Sequence, residues 1–367
     1  MLTLLPRRRW AAGLLGAMCF AIAAVAQTPP TAAGPAAETV APLPGFAELQ
    51  ARGARIGQIH IAARDIFDLE DPRENKLLFR WANAVHINTR PGVIERALLF
   101  KSGEPVSVAL IEETERVLRS TRYLHEVRIR PLAVHDDNTV DIEVLTRDSW
   151  TLDPGLSVSR SGGASSSGIA LREFNLLGTG IGLGIGHKKT VDRSSNEFEL
   201  VNDRAFGGWT SIAVNHAKNS DGKRNSASVA HPFYALDTPW AASASWLDDD
   251  RIESIYRAGV IDSQYRHQQR VSEVWSGLSS GRVNGWVRRT SIGVTRQQDR
   301  YALAPGLVAP PELPADETLV SPFVRLRLIE DDFRTLLNRN QLQRPETFAL
   351  GLDAQLQIGR ASTALGS

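Results

Sequence analysis

From about residue 152 onward, apolar and polar positions alternate in short runs. Ile181, Leu183 and Ile185 alternate with Gly182, Gly184 and Gly186, and Val324, Leu326 and Leu328 alternate with Arg325 and Arg327. Leu350, Leu352, Leu356 and Ile358 stand among Gly351, Asp353, Gln355 and Gln357. A period of two sends successive side chains to opposite faces of a strand. One face is then aliphatic and the other carries Arg, Asp, Gln and Gly. That pairing suits a barrel with lipid outside and water inside better than a packed sandwich. The expected fold class is mainly β: a transmembrane antiparallel β-barrel over 152–367, preceded by one small α+β domain. Strands are predicted at 154–161, 167–174, 180–190, 195–203, 210–218, 224–232, 239–247, 252–260, 264–278, 284–299, 319–330 and 347–359, each near the ~10 residues that cross a bilayer. Trp209, Trp240, Trp246, Trp275 and Trp286 fall near the ends of these strands, as an aromatic girdle requires.

The pattern changes ahead of the strands. Ile56, Ile59 and Ile61 open a β-like segment. Two helical stretches follow, separated by Gly103-Glu104-Pro105. In the second, Ser107 is placed to cap and Leu110, Ile111, Thr114, Val117, Leu118 and Thr121 recur at helical spacing. Val127-Arg128-Ile129 and Val140-Asp141-Ile142-Glu143-Val144 then read as strands joined by the turn His135-Asp136-Asp137-Asn138. This β-α-α-β-β module is assigned to 55–148.

At the N-terminus, Arg7, Arg8 and Arg9 precede the apolar run Trp10–Ala24, and Ala24-Val25-Ala26 supplies a small-x-small cleavage site. Residues 1–26 therefore read as an export signal. Residues 27–54, rich in Pro, Ala and Thr at their start, read as a flexible leader. The sole cysteine, Cys19, lies inside the signal, so the mature chain is expected to use neither disulfides nor thiolate chemistry. No later stretch reaches the ~18 consecutive apolar residues of a spanning helix, so strands must do any spanning. With net charge +1 and charged residues at 23%, no strong field favours nucleic acid.

Two strings are specific enough to carry a resemblance. Gly168 through Gly180 contains Asn175-Leu176-Leu177-Gly178-Thr179-Gly180, and His231-Pro232-Phe233-Tyr234 follows sixty residues on. The first looks like the opening hairpin of the barrel in the outer-membrane protein assembly factor superfamily, the bacterial surface antigen type. The second resembles that group's Asn-Pro-Tyr-Phe-type periplasmic turn, with His for Asn. Residues 55–148, with Leu118-x-x-Thr121-x-Tyr123-Leu124-x-x-Val127 running into a strand, resemble a POTRA domain, the group's periplasmic module. Physically, Asn175 and the glycines are expected to supply positive φ angles, and the leucines to hold the turn at the lipid boundary. The group's Val-Arg-Gly-Phe or Val-Arg-Gly-Tyr motif does not occur in the chain, nor does a terminal aromatic residue. Barrels of the group resemble one another in having 16 strands, so a chain lacking its last strands is expected; a smaller closed barrel is the alternative.

Other chemistry is weaker. Gly277-Leu278-Ser279-Ser280-Gly281 matches a serine-hydrolase elbow on paper, but that motif needs a helix after it, and Val283-Asn284-Gly285-Trp286 reads as turn and strand. The histidines lack ligand spacing, and Asp248-Asp249-Asp250 reads as a solvated outer turn. No enzymatic activity, catalytic residue, cofactor or metal is expected. Glu197, Glu199, Arg325 and Arg327 are expected to face a lumen. The resemblance implies a protein in the bacterial outer membrane, its N-terminal domain in the periplasm, that helps outer-membrane proteins insert. A transport pore of the two-partner secretion or porin kind is the alternative. Implied partners are outer-membrane lipids, unfolded clients and assembly-machinery lipoproteins. Client strands are expected at an edge of the module, with Ile142 and Val144 as candidates, and at a barrel seam along the first strand, with Leu156 and Val158 as candidates.

Overall fold

The computed structural model describes residues 43–161, 164–337 and 345–362. The export signal, Cys19, most of the leader and the last five residues lie outside them. The N-terminal module comprises α1 (Phe46–Ala51), β1 (Arg55–Arg64), α2 (Leu77–Val85), α3 (Pro91–Glu95), α4 (Val108–Arg119), β2 (Leu124–Val134) and β3 (Thr139–Asp148). Its sheet order is β1-β3-β2, with β3 parallel to β1 and antiparallel to β2. Two features go beyond the sequence reading. The leader ends earlier than 54, because Leu49 on α1 and Ala54 are fully buried in the module core. An additional helix, α2, stands in the long connection after β1.

The β-strand reading of 140–144 holds, but its position corrects the assignment of Ile142 and Val144 to an edge. Strand β3 is central, and Val140, Ile142 and Val144 are fully buried in the core with Ile56, Leu118, Leu124 and Val127. A strand with neighbours on both sides has no free main-chain groups to offer. The clean alternation of buried positions along it is core packing. On α4, the Ser107 hydroxyl accepts from the Leu110 N–H at 3.4 Å, as the capping pattern predicts.

The second region is built from β4 (Leu152–Ser161), β5 (Ala164–Glu173), β6 (Ile181–Lys189), β7 (Ser194–Ala205), β8 (Thr210–Asn219), β9 (Gly222–His231), β10 (Trp240–Arg257), β11 (Val260–Val283), β12 (Trp286–Leu303), β13 (Glu317–Glu330), β14 (Phe333–Leu337), β15 (Pro345–Ala349) and β16 (Asp353–Gly359). Eleven of these form one antiparallel sheet in the order β16-β13-β12-β11-β10-β9-β8-β7-β6-β5-β4, and β14 and β15 make a separate two-stranded ribbon. Strands β4 and β16 are its edges. No ladder joins them among the described residues, so the sheet is open and the barrel is not closed, as expected for a chain lacking its last strands and unlike the smaller closed barrel of the alternative.

The predicted strands 239–247 and 252–260 are one strand. Asp248, Asp249 and Asp250 continue β10 instead of turning, because each finds a cation: Asp248 pairs with Arg270 at 3.0 Å, Asp249 with Arg251 at 2.9 Å and Asp250 with Arg266 at 2.7 Å. Opposite charges on neighbouring strands stabilise a ladder. With that strand counted once, the long connection after Leu303 lies at the end of the sheet away from the N-terminal module. The connections β5–β6, β7–β8, β9–β10 and β11–β12 lie at the near end, with the module.

Candidate functional site

The sheet has two chemically different faces, and the register shows both to be continuous. On one face, Leu156 pairs with Ile169, Leu171 with Ile185, Ile185 with Phe198, and Leu200 with Val214. The same row continues through Ile212 with Val229, Val229 with Ala244, Ala244 with Val274, Val274 with Val294, and Leu326 with Leu356. Most of these large side chains are exposed. On β10 the band runs from Trp240 to Trp246 and stops at Asp248. Six residues at ~3.3 Å each make it about 20 Å tall along the strand. Trp240 and Trp246 thus mark its borders, as an aromatic girdle would.

Trp275 and Trp209 do not belong to that girdle. Trp275 is mid-strand on the opposite face, where a Cβ at Gly293 would collide with both it and Phe323. Trp209, in the β7–β8 connection, stacks on Tyr234 with ring centroids 4.0 Å apart and packs against the module core.

The opposite face is polar and carries Glu197, Glu199, Arg325 and Arg327, although the open sheet does not enclose a lumen among the described residues. Arg327 holds Asp353 on β16 at 2.6 Å, and Arg325 donates to Gln357 at 2.9 Å. Toward the far end the charges are largely buried and pair with one another. Arg251 holds Asp249 at 2.9 Å and Glu253 at 2.5 Å, while His267 Nε2 lies 2.8 Å from Asp299. Gln269 and Gln297 also donate to Asp299.

Both motif strings sit at the near end; the first touches the module directly, and the second leads into Leu236, which does so. Asp148, buried at the end of β3, accepts from the Thr89 N–H at 2.7 Å and the Thr89 hydroxyl at 2.9 Å, with His86 Nε2 at 2.9 Å. Asn175 Nδ2 then donates to Thr89 Oγ1 at 2.7 Å, while Asn175 Oδ1 accepts from the Gly180 N–H at 2.7 Å. The Arg90 N–H and Nε donate to the carbonyls of Gly178 and Leu177. The expected role of Asn175 is corrected: its φ is −148°, and the left-handed positions are Leu177 (53°), Gly178 (71°) and Gly180 (76°). Asn175 is a buried tether. A Cβ on Gly178 would strike the Asn88 carbonyl, and one on Gly180 would press on Val93 and Tyr123. Burial raises the Tyr123 phenol above its ordinary value.

The β9–β10 turn makes the second contact. Glu113 on α4 is buried, accepts from the Leu236 N–H at 2.9 Å and pairs with Arg116. Arg116 lies over Phe333 at 4.4 Å. Phe233 lies beneath Arg289, which donates to the Ala235 carbonyl at 2.9 Å, and His231 stacks on Trp240 at 4.0 Å. Spacing alone did not single out Glu113, since a glutamate in the second turn of a helix is ordinarily solvated. A cleft of about 440 Å³ opens between α4 and the ribbon, lined by Glu112, Glu113, Arg116, Arg282, Asp331 and Phe333.

Leu156 and Val158 do lie on an edge strand, 81% and 77% exposed on the apolar face. Ser279 and Ser280 sit within β11, followed by the Asn284-Gly285 turn and β12, so no helix follows the elbow-like string.

No protein-family profile matches the chain, and no curated protein matches it. Two solved structures are similar to it in part. BamA from Haemophilus ducreyi lacking POTRA domains 1–3 is 12% identical with a TM-score of 0.39, the match covering 74% of this chain and 67% of that one. CdiB from Acinetobacter baumannii is 12% identical with a TM-score of 0.32, covering 84% of this chain and 60% of that one.

Proposed function

We propose that the chain belongs to the outer-membrane assembly factor superfamily and helps β-barrel proteins insert into the bacterial outer membrane. The observation that carries this reading is the continuous exposed apolar band across an eleven-stranded sheet whose other face is charged. Water would penalise that face strongly, at roughly 25 cal/mol per Å² of apolar surface, and hydrocarbon would not. The module, with its POTRA-like order, stands at the near end in the periplasm. Residues 1–26 direct export.

Two kinds of open edge support assembly as the role. Strand β4 presents unpaired main-chain groups to a client hairpin beside Leu156 and Val158. In the module, β2 is partly capped by α4: Glu115 accepts from the Ile129 N–H and Arg119 donates to the Val127 carbonyl. Beyond Ile56, β1 pairs only with β3 among the described residues, so it is the better strand for β-augmentation.

The test is the folding rate of an unfolded porin in lipid vesicles with and without this protein. Acceleration supports assembly. Unchanged folding together with ion conductance and a dedicated exported substrate would replace it with the transport reading.

A further inference from the structure

Helix α2 is the most apolar exposed feature of the module, and the core does not use it. Leu77, Leu78, Trp81 and Val85 are 85%, 67%, 58% and 50% exposed. At 100° per residue they share one arc of about 100°. The helix is held from its other side. Phe79 stacks on Phe67 with ring centroids 4.1 Å apart, and Asn83 exchanges hydrogen bonds with the Phe67 backbone. The apolar arc is therefore presented outward from a fixed seat.

Two observations identify what covers it. The first is charge. From Lys76 to Ile94 the chain has Lys76, Arg80 and Arg90 and no acidic residue. The nearest carboxylate upstream, Glu74, is turned inward, accepting from the Asp68 N–H and pairing with Arg147. The second is continuity. Past the helix, Ile87 is 51% exposed, and the neighbouring residues 88–90 abut the β5–β6 turn, where Leu177 is 55% exposed. That turn joins β5 to β6, whose paired Leu171 and Ile185 belong to the apolar band. A Trp- and Leu-bearing arc flanked by cations, joined to a lipid-facing band, is the composition of a helix that lies in a membrane interface.

We propose that α2 lies in the headgroup layer of the periplasmic leaflet, its Leu77-Leu78-Trp81-Val85 arc entering the acyl boundary and Lys76 and Arg80 meeting anionic lipid headgroups. This rests on the membrane reading of the sheet. The helix fixes the module's distance from the bilayer and so keeps the open β1 edge close to the point of insertion.

The test uses the full chain on a Cys19→Ser background, folded into vesicles of phosphatidylethanolamine and phosphatidylglycerol. An environment-sensitive fluorophore is placed at Leu78→Cys, with Trp81→Cys as a second probe of the same arc. Leu326→Cys reports on the apolar band and Asp136→Cys on water. Lipids brominated near the headgroup are the quencher. The expected result is quenching at 78, 81 and 326 but not at 136, with the signal at 78 and 81 falling severalfold when the anionic lipid is omitted. Quenching at 326 with none at 78 or 81 overturns the inference and leaves the membrane reading standing. No quenching at 326 overturns both.

Discussion

Asn175 and Thr89, 86 residues apart in sequence, share a buried 2.7 Å hydrogen bond that joins the sheet's first near-end turn to the N-terminal module. Thr89 passes the contact to Asp148, so three side chains link the turn to the last residue of β3. Removing the amide strands the Gly180 N–H and takes one of two partners from the Thr89 hydroxyl, which still donates to Asp148, at a cost of about 1–3 kcal/mol. Asn175→Ala is expected to loosen the module without unfolding the sheet. Limited proteolysis in the linker at residues 149–151 will speed up, while cleavage within the sheet strands stays unchanged.

Gly178→Ala should do more. Its φ of 71° is strained for any side chain, and the added methyl runs into the Asn88 carbonyl. Gly208→Ala, in open space at ordinary φ, is the matched control. Hydrogen exchange at Arg90, whose N–H donates to Gly178, will rise in the first variant and stay unchanged in the second.

Glu113 holds the other contact. Glu113→Gln keeps an acceptor for the Leu236 N–H but loses the charge facing Arg116, whereas Glu113→Ala loses both. Stability should fall in the order wild type, Gln, Ala, the last by about 1–3 kcal/mol as the buried Leu236 N–H loses its acceptor and the half-buried Arg116 its partner. Equal losses for the two variants would assign the whole effect to the lost charge opposite Arg116 and none to the Leu236 hydrogen bond.

The membrane reading makes a face-specific prediction. Leu326→Arg places a charge in the apolar band and should destabilise the protein in lipid by about 2–4 kcal/mol, whereas Arg325→Leu, one residue away on the polar face, should cost far less. Equal effects from the two substitutions, measured by folding into vesicles against urea, would contradict a lipid-facing band.

In the module, His135 and Asp141 make a 2.9 Å pair with opposite consequences of pH. The Asp141 hydrogen bond, then its charge, raises His135 above the ordinary histidine range. The Gln58 N–H, then His135, holds Asp141 below the usual carboxylate range. The His135 contribution is whole below its unfolded pKa and is lost as pH rises through the raised value. The Asp141 contribution is whole above its unfolded pKa and is lost as pH falls through the depressed one. Selective histidine labelling and NMR titration will show the elevated His135 midpoint, and Asp141→Asn will return it toward the ordinary value.

What the sequence revealed follows from which interactions are local. Alternation in β6, β13 and β16 is a property of each strand alone, so the two faces were legible, as was the α4 cap at Ser107. Strand β10 was split because three consecutive aspartates resemble a turn until Arg270 and Arg266 are placed opposite them. Alternation also could not tell an edge strand from a central one. Ile142 and Val144 show the same pattern in either position, and only the parallel pairing with β1 decides it. Asn175 was recognised as special for the wrong reason. Its partner Thr89 lies in a connection with no periodicity to read.

Strand lengths also divide the sheet unequally. Strands β4 and β5 have 10 residues each, while β10, β11 and β12 have 18, 24 and 18. At ~3.3 Å per residue, β11 is about 80 Å long and its neighbours β10 and β12 about 60 Å, against about 33 Å for β4 and β5. The surplus lies at the far end, braced by the His267–Asp299 cluster. The sheet is therefore tallest at β10, β11 and β12 and lower toward both edges, where β4 has 10 residues and β16 has 7. On the membrane reading, a macromolecule arriving from beyond the bilayer meets rigid, hydrogen-bonded strand at β10, β11 and β12, and a lower rim at the edge where β4 lies.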